Sequence, residues 1–299
     1  MPGMDKGGSV SLDSMVPGLS VQEVRKVVAR AFVEDLGRGD VTTSLTVPES
    51  KKARGTFYSK QPLVVAGLPV AAEAFRSLEP DCRWDALVPD GANVPVGEPL
   101  ARVEGNASTL LSGERVALNF LQRLCGIATL TREFKNRLAG LKTELLDTRK
   151  TTPGLRLLEK YAVRMGGGTN HRMGLDDGIL IKNNHIALAG GIRAAIERVW
   201  QQRPAGMPIE VEVRTRAELE EAVAAGADIA LLDNMTPAEV ADCVAFAQGR
   251  IVLEVSGGVS LENVRAYAET GVERISVGAL THSAPAADIN FLMEPFLDA

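Results

Sequence analysis

The stretch Ile209–Asn234 reads IEVEVRTRAELEEAVAAGADIALLDN. It opens on a β-branched run, IEVEV, passes through a helical pattern, RAELEEAVAAG, and closes on a second apolar run, DIALLD. Parallel strands cannot be joined by a tight turn and need a crossover, so this order predicts a strand–helix–strand unit. The rhythm extends both ways. TELLD (143–147), GILIK (178–182), IVLEV (251–255) and RISVG (274–278) join IEVEV (209–213) and DIALLD (228–233) as predicted strands. GLRLLEKYAVRM, GIRAAIERVWQQ, PAEVADCVAFAQ and LENVRAYAETG supply further helices between them. Apolar strands alternating with amphipathic helices predict a parallel sheet covered by helices. No Gly-x-Gly-x-x-Gly follows the first strand, which disfavours a dinucleotide-binding sheet. The expectation is an α/β barrel, short of the full eight units.

Upstream the pattern changes. Val21, Val24, Val27, Val28, Ala31 and Phe32 are at helical spacing. TFYSKQPLVVAG reads as strand pairs, LPVAAEAFRSL as a short helix, and VPDGANVPVGEPLARVEG as hairpins turning at Asp90-Gly91 and Val96-Gly97. A long helical pattern runs from Ala107 to Leu138, with a break expected near Gly126. The domain expectation is a mobile tail over 1–18, a small α+β domain over 19–125 joined by the C-terminal segment 281–299, and the barrel over 126–280.

Composition narrows the function. A net charge of -5 argues against nucleic acid as a partner, since phosphate-backbone binding shows as a basic domain. Cys82, Cys125 and Cys243 are odd in number and far apart, without metal or disulfide spacing, so a reducing cytoplasm is expected and each is read as core filler. No apolar run approaches the ~20 residues that span a bilayer, and the N-terminus lacks a secretory pattern.

In barrels, chemistry sits at the carboxyl ends of the strands. Here those ends carry Asp147-Thr148-Arg149-Lys150, Lys182-Asn183-Asn184-His185, Glu210 with Glu212, Asp233-Asn234, Ser256-Gly257-Gly258 and Gly278-Ala279. His171 and Arg172 add to the cations between the first two strands. Arg and Lys in such places suit carboxylates and phosphates. The Ser-Gly-Gly turn before a helix expected at Ser260 offers backbone N–H groups to an anion. Glu212 and Asp233 can hold Mg²⁺ or stabilise a developing positive charge. The ligand class is a polyanion with carboxylate and phosphate groups, arriving with a divalent cation.

Plainer readings stand beside these. Arg156, Lys160 and Arg164 lie at helical spacing and read as a solvated face. Glu210 and Glu212 share one side of a strand, where a carboxylate is costly unless paired, so Glu212 is read as functional. His185 and His282 stay open between structural and ligand roles. Lys182 stays open between Schiff-base nucleophile, anion ligand and ion-pair partner. Asp176-Asp177 reads as a turn.

The run DTRKTTPGLRLLEKYAVRMGGGTNHRMGLDDGILIKNNHI, with EDLGRGDVTTSL, LLSGERVALNFLQRLCGIAT, IEVEV, LLDN, EVSGG and SVGALTHSAPAADI in the same order, resembles the quinolinate phosphoribosyltransferase family over roughly residues 19–297. The resemblance implies transfer of phosphoribosyl from phosphoribosyl pyrophosphate to quinolinate, giving nicotinate mononucleotide, pyrophosphate and CO₂ with Mg²⁺ present. It implies an N-terminal α/β sandwich beside an incomplete barrel, working as a homodimer. By motif, Arg149, His171 and Arg172 would grip the carboxylates, with Thr148, Lys150 and Lys182 nearby, and Arg115 would reach in from a neighbouring subunit. Glu212 and Asp233 would serve the metal-bound ribose. Ser256, Gly257, Gly258 and Gly278 would hold the 5-phosphate. One departure is that Arg214, Thr215 and Arg216 are more basic than the family pattern, and they read as exposed. The rivals are a paralogue on this scaffold such as the molybdenum-locus relative, a barrel aldolase using Lys182, and a non-catalytic anion binder.

Overall fold

The computed structural model describes residues 19–296, so the tail expected over 1–18 lies outside the described residues. The chain divides into two compact units. One takes in the described residues up to Ala128, then Leu157–Met165, and those from Pro285; the other takes in Thr129–Arg156 and Gly166–Ala284. Sequence order alone would have left Leu157–Met165 with the second.

In the first unit, strands β1 (Lys52–Ser59), β3 (Arg83–Ala86), β5 (Pro99–Asn106) and β12 (Ile289–Pro295) form an antiparallel sheet in the order β12-β1-β5-β3. The short strands β2 (Leu63–Val64) and β4 (Asn93–Val94) pair with each other. The glycine turns at Gly91 and Gly97 have positive φ, as their sequence predicts, but the strands around them are not the simple hairpins expected. Phe57, Phe75, Trp84 and Phe291 make the aromatic core, with the Phe57 and Phe291 centroids 4.5 Å apart. The helix Leu68–Leu78 matches its predicted span.

The helix Ala107–Arg137 is continuous, where a break was expected at Gly126. Glycine is there for closeness rather than for bending. A Cβ at 126 would run into the carbonyl oxygen of Pro285.

In the second unit, β6 (Glu144–Leu146), β7 (Ile179–Ile181), β8 (Ile209–Val213), β9 (Ile229–Asp233), β10 (Val252–Ser256) and β11 (Arg274–Ser276) form one parallel sheet, ordered β6-β11-β10-β9-β8-β7. Six strands are two fewer than a full barrel, as the sequence predicts. The outer strands β6 and β7 do not pair; Thr169 bridges instead to Leu146 at the free edge of β6. The segment carrying His171 therefore enters the fold beside β6. A short helix, Asn183–Ala189, directly follows β7.

Candidate active site

Every predicted site residue except Arg115 belongs to the second unit. Asp147, just past β6, is fully buried and anchors the following segment. It accepts hydrogen bonds from Asn170 Nδ2 at 2.7 Å and from the backbone N–H of His171 at 2.8 Å. Beyond it, the N–H of Lys150 donates to Thr148 Oγ1 at 3.1 Å, and Thr281 Oγ1 donates to the carbonyl of Lys150 at 2.8 Å. The Lys150 chain lies over Gly278, where a Cβ would come within 2.9 Å of its Cδ. That glycine, whose φ is ordinary, makes room for the lysine and brings the β6 and β11 ends together.

Arg149 and Arg172 form the cationic centre. The Nε of each is buried and has no hydrogen-bond partner among the described residues. Arg172 keeps one contact, Nη1 to the carbonyl of Gly178 at 2.8 Å. Its pKa is lowered, first by burial and then by the positive charge of Arg149. Two like charges held together with buried donors unspent have the chemistry that suits an anion.

His171 sits below them. Its Nε2 lies 3.2 Å from Glu210 and 3.5 Å from Glu254, while its Nδ1 faces the N–H of Arg172 at 2.8 Å. Burial opposes charge on the ring, but hydrogen bonding to Glu210 and Glu254, reinforced by their charge, raises its pKa to about 9. The Arg172 amide asks instead for a lone pair on Nδ1. With Nδ1 accepting from that amide, Nε2 is the ring nitrogen that carries a proton toward Glu210 and Glu254. These three residues are the cluster among the described residues whose ligand-type atoms all lie within 4.8 Å. Sequence reasoning missed Glu254; the signal was an acid inside the apolar run IVLEV, like those in IEVEV.

The acid pair lies across the mouth. Lys182 Nζ is 3.9 Å from Glu212 Oε2; Arg214 reaches Glu212 Oε1 at 3.7 Å and Asp233 Oδ2 at 3.5 Å. Glu212 is thus buried and paired, as its position required. Arg214, read as merely exposed, is half-exposed and joins both acids. A residue following a strand by one position can fold back over that strand's end, which composition does not reveal. At the next strand end, Asn234 takes a left-handed φ of 57° and its N–H donates to the Ser256 carbonyl at 2.9 Å. Gly257 and Gly258 have positive φ, and a Cβ at 257 would overlap the Asn234 side chain.

Other expectations are corrected. The helix expected at Ser260 begins at Val264 and is one turn long, so the Ser-Gly-Gly segment leads into a turn, with the N–H of Ser260 donating to Asn263 Oδ1. The solvated face fails at Lys160, while Arg156 and Arg164 are half-buried. Lys160 is 0 % exposed, Arg164 lies over the Tyr161 ring, and Arg156 staples Thr151 to Met173 through bonds of 3.0 Å each. His185 accepts the Lys182 N–H at its helix start, a structural role. His282 lies by Gly278 and contacts Ser283. The pair read as a turn is one, with Asp177 accepting from the N–H groups of Met173 and Gly174. All three cysteines are free and buried. Arg115 is an exposed residue of the first unit.

The chain matches the family descriptions "Quinolinate phosphoribosyl transferase, N-terminal domain" over residues 40–125 and "Quinolinate phosphoribosyl transferase, C-terminal domain" over 127–292. It is 44 % identical over 268 residues to the probable nicotinate-nucleotide pyrophosphorylase (carboxylating) of Bacillus subtilis, covering 90 % of this chain and 92 % of that protein. The chloroplastic nicotinate-nucleotide pyrophosphorylase of Arabidopsis thaliana is 40 % identical over 306 residues, covering 96 % and 87 %. The solved nicotinate-nucleotide pyrophosphorylase of Francisella tularensis superposes with a TM-score of 0.88 at 37 % identity, over 96 % of this chain and 100 % of that one. Family match, relatives and fold converge, and the chain belongs to the quinolinate phosphoribosyltransferase family.

Proposed function

We propose that the strand ends divide among them the labour of the family's reaction. That reaction transfers phosphoribosyl from phosphoribosyl pyrophosphate to quinolinate with decarboxylation, giving nicotinate mononucleotide, pyrophosphate and CO₂ in de novo NAD biosynthesis. The observation that carries the assignment of roles is the pair of buried, unpartnered Nε donors on Arg149 and Arg172. They hold the two carboxylates of quinolinate, with His171 beneath Arg172 and Lys150 and Lys182 alongside. Glu212 and Asp233 face the ribose and stabilise positive charge as the C1–O bond to pyrophosphate breaks. Ser256, Gly257, Gly258 and Gly278 receive the 5-phosphate. Bond formation turns the ring nitrogen into a pyridinium, which accepts the electron pair left when the adjacent carboxylate departs as CO₂; a proton then takes its place. The protein's contribution is positioning and preorganised charge.

Glu212 and Asp233 also fit Mg²⁺. A single guanidinium, that of Arg214, reaches an oxygen of each, so one cation can serve both. Hard carboxylate oxygens together with substrate phosphates are the ligands this ion prefers. When bound, Mg²⁺ neutralises the charge of the departing pyrophosphate.

The working unit is a homodimer in which Arg115 completes the neighbouring subunit's anion site; its exposure on the helix Ala107–Arg137 leaves it available. The place of work is the cytoplasm, which suits three reduced cysteines. Among the described residues no helix is long and apolar enough to cross a membrane. A Schiff-base role for Lys182 is disfavoured, because its amine is half-exposed and faces Glu212 instead of lying sealed in an apolar pocket.

The test is release of pyrophosphate and CO₂ from quinolinate, phosphoribosyl pyrophosphate and Mg²⁺, with nicotinate in parallel. Release with quinolinate and little with nicotinate is expected. Equal turnover of both acids would refute the two-guanidinium grip.

A further inference from the structure

The floor beneath the mouth holds charge that the reaction as described does not use. Glu254, in the middle of β10, is 0 % exposed, and among the described residues its carboxylate meets no polar group closer than the His171 ring, 3.5 Å from Oε1. Its chain neighbours Leu253 and Val255 are buried and apolar. Glu210, one strand beyond β9, is also buried and leaves one oxygen unpartnered. Both acids converge on the single N–H of His171 Nε2. For stability alone this is a poor arrangement, since well-packed apolar side chains are commonly as good or better than buried charges. A role beyond stability explains it more economically.

Glu254 is too deeply buried to touch a ligand in the mouth, so whatever it does passes through His171. That ring belongs to a segment held at two levels. Asp147 pins the backbone of His171 and the side chain of Asn170, while Glu210 and Glu254 hold the ring from below. The next residue is Arg172, whose guanidinium has a buried unpartnered Nε beside Arg149. Arg172 sits on no strand, so beyond the backbone bridge of Thr169 to β6 the segment owes its placement to these side-chain anchors.

We propose that Glu254, together with Glu210, is a positioning residue that fixes His171 and through it the Arg172 guanidinium that meets a substrate carboxylate. This rests on the reading of Arg149 and Arg172 as the quinolinate grip. Displacement of a substrate-orienting group by about 1 Å can cost on the order of 100-fold. The neutral isostere Glu254→Gln is expected to raise KM for quinolinate by about tenfold or more. KM for phosphoribosyl pyrophosphate should stay within about twofold, because its proposed contacts lie on other strand ends. A merely structural role would shift both constants together and lower the melting temperature. Glu254→Asp, which keeps the charge, should recover part of the loss.

Arg172→Ala is the control. If it raises the quinolinate KM while folded Glu254→Gln does not, the positioning role is overturned and the grip stands. If Arg172→Ala leaves that KM unchanged, the grip itself fails and the positioning role with it. Should Glu254→Gln not fold, Glu210→Gln addresses the same ring, and an unchanged quinolinate KM there overturns the proposal.

Discussion

Arg149→Ala is expected to move activity and stability in opposite directions. The loop carrying Arg149 is held through its backbone: its carbonyl accepts the N–H of Thr151 at 2.9 Å and lies 3.5 Å from Arg156 Nη2. The side chain's Nε contributes no hydrogen bond among the described residues, and its charge opposes that of Arg172. Truncation therefore removes a repulsion and strands no partner, so stability should hold or rise by up to ~1 kcal/mol, the scale of a surface charge pair. A carboxylate held by two charge-assisted bonds at about 1.5–3 kcal/mol each loses roughly 3–6 kcal/mol. Even the lower figure is a factor of about 150 in kcat/KM for quinolinate. Pyrophosphate release gives the first quantity and urea unfolding the second. A loss of activity below about tenfold, accompanied by a stability loss above about 2 kcal/mol, would show that Arg149 is structural and would refute the reasoning.

Arg214→Ala should lower the Mg²⁺ concentration required for half-maximal rate, since the resident cation of Glu212 and Asp233 is gone; the half-exposed pairs limit the shift to about fivefold, read from a Mg²⁺ titration. The pKa of His171 is raised from 6.5 to about 9, so its contribution to stability is whole below pH 6.5 and fades as pH rises through 9. Urea midpoints across that window should decline, and the decline should flatten in Glu254→Gln. Gly126→Ala should destabilise despite the better helix propensity. Propensity gains about 1 kcal/mol, whereas overpacking against the Pro285 carbonyl, a backbone group with little freedom to yield, costs up to about 3 kcal/mol. Chemical denaturation giving a net gain would show that the two segments separate freely.

The repeating strand–helix order, the parallel sheet and the polar strand ends are legible in the amino-acid order, because they follow from local periodicity and from the rule that crossovers join parallel strands. IEVEV is a strand over the residues predicted, and Glu212 is buried and paired as an acid on an apolar strand must be. Residue type and local order also carried the family resemblance. The tertiary structure alone decided which polar groups meet. Glu254 and His171 are far apart along the chain, and only the tertiary fold, which sets the His171 segment beside β6, brings them to 3.5 Å. Arg214 is exposed, as read, but composition carries no direction and could not show that it reaches back over two strand ends. Gly126 looked like a helix break because propensity knows nothing of Pro285. Lys160 lies on a spacing that reads as solvated, but it is completely buried. Local periodicity is set by neighbours in sequence, whereas charge pairing, close approach and burial are set by neighbours in space.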